Sequence, residues 1–147
     1  CLSSIGITAL TLTQGFTVIG AHACDNCHLL KNVDLSNTQI EEIQEFTFVH
    51  CTSLREVNLP PTLHTIRVKA FMNCAALPEL AIPPSLRYIA SRAFLDCTAL
   101  RRLVKLPGRR KWRGIYAEEN AFAICPGMRW PPWLHMIPDT GHVSGLA

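Results

Sequence analysis

No stretch of this 147-residue chain approaches the ~20 uninterrupted apolar residues of a membrane-spanning helix. It also has no Gly-rich phosphate loop, no His-Glu-x-x-His helix and no Gly-x-Ser-x-Gly elbow, so catalysis has no visible home and the chain reads as non-enzymatic. Asn-x-Ser/Thr acceptors are missing, which removes one hint of a glycosylated ectodomain. Charge of one sign is scarce: 14 Lys and Arg stand against 11 Asp and Glu, and a net +3 argues against nucleic acid as the main partner. Residues 1–20 lack the basic start and compact apolar run of a secretory signal. Cys1 opens the chain without a methionine, in a slot where a repeat is already under way, so the expectation is a segment of a longer array.

Cysteine, by contrast, is plentiful and regular. Cys27, Cys51, Cys74 and Cys97 are spaced 24, 23 and 23 residues apart. Each closes one local pattern, as in Ile66 through Ala70-Phe71 to Cys74 and Ile89 through Ala93-Phe94 to Cys97, with Ile43 through Phe48 to Cys51 a looser copy. A leucine follows three residues later at Leu30, Leu54, Leu77 and Leu100. A fixed period in the twenties specifies a solenoid, whose units are too small to enclose a core and must stack. Val33-Asp34-Leu35, Val57-Asn58-Leu59 and Leu80-Ala81-Ile82 alternate apolar, variable, apolar, the signature of a short strand with one buried face. Leu103-Val104-Lys105-Leu106 repeats this with a slip of one residue. Pro60-Pro61 and Pro83-Pro84 stop the strands. The strands are expected to pair into one parallel sheet, with Phe48, Phe71 and Phe94 in a column opposite and a short helical turn over each Ala-Phe-x-x-Cys.

These units resemble the BspA-like leucine-rich repeats, which read as a strand ending in Leu-Pro, then an Ile, then Ala-Phe-x-x-Cys-x-x-Leu. Leu54 to Pro60, Leu77 to Pro83, Ala70-Phe71 with Cys74 and Ala93-Phe94 with Cys97 carry the resemblance. It implies an α/β fold: a right-handed leucine-rich-repeat solenoid with a parallel sheet on the concave face and short helical turns or irregular coil on the other side. The array is assigned to residues 1–128, about five to six units, and 129–147 to a degraded terminal repeat, cap or tail. Ala121-Phe122 and Cys125 close the last unit after a 28-residue interval, so about five residues are inserted before them.

Several local motifs compete with the repeat. Cys24-Asp25-Asn26-Cys27-His28 matches the attachment signature of c-type haem. In register, however, Cys24 fills the phenylalanine slot and Cys27 the cysteine slot, both inside a packed core, so no cofactor and no metal is expected. Equivalent cysteines on stacked coils point the same way rather than at each other, which favours buried thiols over disulfides. Asp139-Thr140-Gly141 is the tripeptide of aspartic proteases, but that chemistry needs two such carboxylates and this chain has one. Half of the basic residues fall in 101–113, where Arg109 to Arg113 coincides with the insertion and Trp112 sits among them.

Function is then expected on the variable strand positions: Asn32, Asp34, Glu56, Asn58, Glu79 and Arg102, with Arg109, Arg110 and Trp112 as an adjoining basic surface for an anionic partner. The leading expectation is a protein-protein interaction module. A structural spacer within a longer array is the alternative, and a haem or metal protein using Cys24, Cys27 and His28 a remote one. A cell-surface or adhesive role comes only from the family resemblance.

Overall fold

Each central turn of the chain lays down two short strands, one in each of two stacks. The computed structural model describes residue 2, residues 6–108 and residues 114–138. Along the chain the strands are β1 (Ala9–Thr11), β2 (Asn32–Asp34), β3 (Glu42–Ile43), β4 (Glu56–Asn58), β5 (Thr65–Ile66), β6 (Glu79–Ile82), β7 (Tyr88–Ile89), β8 (Arg102–Lys105), β9 (Ile115–Glu118) and β10 (Leu134–Ile137). All pairing is parallel, which a solenoid imposes because equivalent segments of successive coils run the same way.

The first stack contains the strands that the alternation predicts. Leu10, Val33 and Val57 lie in line across β1, β2 and β4, and Leu80 aligns with Leu103 across β6 and β8. The expected slip in β8 does not occur: Ile82 faces Lys105, so the coil keeps its register and places a lysine at the end of an apolar column. The expectation of one sheet is also corrected. A second parallel sheet, in the order β10-β9-β7-β5-β3, runs along the other flank, aligning Ile43, Ile66, Ile89 and Ala117. Ile43, Ile66 and Ile89 each stand three residues after another apolar residue, Ile40, Leu63 and Leu86.

Between the stacks lies the core. Phe48, Phe71, Phe94 and Phe122 stack ring on ring, with centroids 5.2, 5.1 and 5.1 Å apart. Trp130 closes this column by meeting Phe122 edge-on at 5.4 Å. Beside it runs a ladder of thiols. The Sγ of Cys51 donates to the carbonyl of Cys24 at 3.1 Å, Cys74 to Phe48 at 3.2 Å, Cys97 to Phe71 at 3.1 Å and Cys125 to Phe94 at 3.1 Å. Each cysteine therefore satisfies the carbonyl of the phenylalanine slot one coil back, a job for a small side chain with a weak donor.

No helix forms over the Ala-Phe-x-x-Cys stretches among the described residues, and the helical turns expected there are replaced by linked turns. The cause is a pair of left-handed residues two positions either side of the phenylalanine slot: His22 and Asn26, Phe46 and His50, Lys69 and Asn73, Arg92 and Asp96. Right-handed helix cannot pass through such residues. Their backbone instead divides its donors: Phe48 and His50 bond across to Ala70 and Met72 at 2.8 Å, while Val49 and Cys51 close turns onto Phe46 and Phe48 at 3.3 Å. Alternate N–H groups thus hold the neighbouring coil, and none is left for a helical ladder.

Candidate interaction face

Strand alternation that buries Val33, Val57, Leu80 and Leu103 must present their neighbours on the opposite surface. Asn32 pairs with Glu56 and Asp34 with Asn58, and further along the same stack Glu79 pairs with Arg102. The six polar residues picked out on the strands therefore fall in two columns on one face. Their side chains already interact. Arg102 Nε donates to Glu79 Oε2 at 2.7 Å, the two side chains being 66% and 49% exposed. The Asn58 amide donates to Glu56 at 3.3 Å. Asp34 accepts from the Ser36 hydroxyl at 2.6 Å and its amide at 3.0 Å, and these bonds hold its carboxyl below the ordinary carboxylate value.

The face is interrupted once. β1-β2-β4 and β6-β8 are separate sheets, and no backbone hydrogen bond joins β4 to β6 although the two strands remain neighbours. Elsewhere in this stack the coils are joined at a fixed slot: Lys31 N–H donates to Thr8 O at 2.8 Å, Arg55 to Lys31 at 2.8 Å, Arg101 to Pro78 at 2.9 Å and Arg129 to Arg101 at 2.8 Å. The missing rung falls where the slot holds Pro78, which has no N–H. A groove of about 300 Å³ opens there, walled by Glu56 and Asn58 on one side and Glu79 and Ala81 on the other. Sequence reasoning missed Pro78, though a proline in the slot of Lys31, Arg55 and Arg101 was the signal for it.

A second concavity of about 620 Å³ lies beside the proline pairs, lined by Glu41, His64, Ser85 and Arg87. Its hydroxyls are engaged in structure: Thr62 donates to Ile40 O at 2.7 Å and Ser85 to Leu63 O at 2.5 Å. His64 Nε2 faces the Glu41 carboxylate at 3.6 Å, and its Nδ1 meets the hydroxyl of the adjacent Thr65 at 3.1 Å.

The described part of the basic run is also tied down. Arg101 donates to Thr98 O at 2.9 Å, Arg102 is paired with Glu79, and Lys105 sits over the Trp133 ring at 5.1 Å. Arg109, Arg110 and Trp112 lie outside the described residues, as does Asp139-Thr140-Gly141. In the Cys24-x-x-Cys27-His28 motif both thiols are buried while His28 is exposed, so its three groups do not converge on one ligand. Burial pushes the Cys24 thiol up to about 12 and raises Cys27 as well, which leaves them protonated and inert. His22, just before this motif, stacks on Phe46 at 4.7 Å and meets Asp25 at 3.2 Å. Among the described residues no three His, Cys, Asp or Glu side chains gather as a metal site.

Known structures share this architecture. A leucine-rich repeat protein from Bacteroides ovatus is 25% identical over 90% of this chain, with a TM-score of 0.67, and the chain spans 39% of it. A leucine rich cell surface protein from Faecalibacterium prausnitzii is 22% identical over 95% of the chain, with a TM-score of 0.66, and the chain spans 34% of that protein. The T. pallidum leucine-rich repeat protein is 21% identical over 82% of the chain and 67% of its own length, with a TM-score of 0.61. No curated protein gives a significant match. The model of the BspA type leucine rich repeat region matches residues 1–128 in six copies. With that repeat unit accounting for its strands, its phenylalanine column and its thiol ladder, the chain belongs to the BspA-type leucine-rich repeat family.

Proposed function

We propose that the chain is a non-catalytic protein-interaction module that works through the exposed face of β2, β4, β6 and β8. The observation that carries this reading is the division of labour along each strand. Inward positions repeat nearly unchanged from coil to coil, while outward positions read Asn32, Glu56, Glu79 and Arg102 in one column and Asp34, Asn58, Ala81 and Val104 in the other. Residues held in register on short paired strands are already ordered, so a partner meets a face with little left to immobilise. The engaged hydroxyls of Thr62 and Ser85 support a scaffold rather than a reaction centre. A cell-surface location is part of the proposal, supported by the description of the Faecalibacterium relative as a cell surface protein.

Biolayer interferometry against a panel of purified extracellular-matrix and host-surface proteins tests the reading. For any protein that binds, the double reversal Glu56→Lys with Glu79→Lys is expected to weaken affinity at least tenfold. Thermal stability should hardly change, because the Glu79–Arg102 pair is exposed and such pairs contribute about 1 kcal/mol or less. Unchanged affinity in a folded double variant would remove this face from consideration.

A further inference from the structure

We propose that the open rung between β4 and β6 is the anchoring subsite of this face and takes an arginine side chain of the partner protein. The inference rests on the interaction reading above and names the partner's chemistry. Two independent observations meet at the groove. One is the backbone. In the joined coils, Lys31 O accepts from both Arg55 N–H and Glu56 N–H, and Leu35 N–H donates to Asn58 O. By the same register Arg55 O and Leu59 N–H point from β4 toward β6, and Glu79 N–H and Ala81 O point back, with no bond made between them. Backbone groups near a buried strand require partners, and here water or a ligand must supply them.

The other observation is charge. Carboxylates on these strands take a guanidinium from the following coil: Glu79 from Arg102 at 2.7 Å, and, in the second sheet, Glu42 from Arg67 at 2.9 and 2.8 Å. Glu56 is followed in its column by Glu79, so two acids share one arginine, and Ala81 leaves open space above the rung. A planar guanidinium is thin, donates five hydrogen bonds and accepts none. It matches a groove offering the Glu56 carboxylate together with the carbonyls of Arg55 and Ala81. A lysine fits less well, because a point ammonium does not fork between a carboxylate and a carbonyl.

The test is amide-resolved NMR on the intact chain, with a blocked Gly-Ser-Arg-Ser-Gly pentapeptide as probe and its citrulline version as neutral control. The arginine peptide is expected to shift the Val57, Leu59, Glu79 and Ala81 amides saturably, and the citrulline peptide to bind at least tenfold more weakly. Pro78→Thr restores the N–H without adding charge, using the residue type that Thr8 places in the same slot. In that variant the Glu79 and Ala81 amides should exchange at least tenfold more slowly and peptide binding should fall at least tenfold. Equal binding of the citrulline peptide, undiminished binding by Pro78→Thr, or slow exchange of these amides in the parent would each overturn the subsite. A matrix protein whose binding is lost in the Glu56 and Glu79 reversal but kept in Pro78→Thr would sink the subsite while leaving the interaction face standing.

Discussion

At Ile124 the backbone holds φ at 55°, a left-handed conformation that a β-branched residue adopts only under constraint. Equivalent coils fill that slot with Asn26, His50, Asn73 and Asp96, three of which are Asn or Asp, the types that tolerate it best. Ile124 is also 62% exposed, so its side chain returns little by burial. Ile124→Asn is therefore expected to stabilise the chain by roughly 1 kcal/mol in urea denaturation, whereas Ile124→Val, equally branched, should not. The thiol ladder gives a second prediction at this scale. Burial raises Cys51 from 9.0 to about 12 and Cys125 to about 11, and pushes Cys74 and Cys97 up as well. The folded chain holds these protons where the unfolded chain releases them. Stability is therefore fully present below pH 9 and declines as pH rises from 9 toward 12. Denaturation midpoints measured from pH 7 to 10.5 should stay level and then fall, with a shallower fall in Cys51→Ala.

The strands of the first stack were legible because three-residue alternation survives in every coil up to β6, and in β8 Leu103 still holds its first apolar position. The second sheet was not, since β3, β5 and β7 are two residues long and two residues carry no period. The helical turns were misread for a related reason. Phe46, Lys69 and Arg92 are not residue types that announce a left-handed backbone, yet contact with the next coil holds them there. Of the candidate face, the outward columns were legible from alternation. The break at Pro78 needed the coils laid side by side, because a proline removes a rung only relative to the lysine and arginines in its slot. The phenylalanine column was read correctly and extends through Phe122. Phe71, fully buried between two rings, is the member to test: Phe71→Ala should cost about 3–5 kcal/mol in urea denaturation. A loss below 1 kcal/mol would mean that the turns and thiol ladder hold the coils without the rings.

For the whole molecule, a stack in which each coil touches only its neighbours should survive removal of one complete period. Deleting residues 75–97 joins Cys74 to Thr98 in register, brings Phe71 onto Phe122, and removes Pro78. Arg101 N–H then lies opposite Arg55 O, so the first sheet should become continuous from β1 to β8. The deletion also removes Tyr88, whose hydroxyl donates to the buried Glu118, but Arg67 moves into the Ala90 slot as a new partner for that carboxylate. Deleting residues 52–74 instead removes as many residues and keeps Pro78. Both variants are expected to fold with the parent's circular dichroism per residue and a smaller urea m-value, since less surface is exposed on unfolding. The 75–97 deletion should have the higher midpoint, because it alone closes the broken rung. If the two midpoints coincide, the missing rung costs the solenoid nothing. If neither variant folds, the coils are not the independent nearest-neighbour units that the repeat implies.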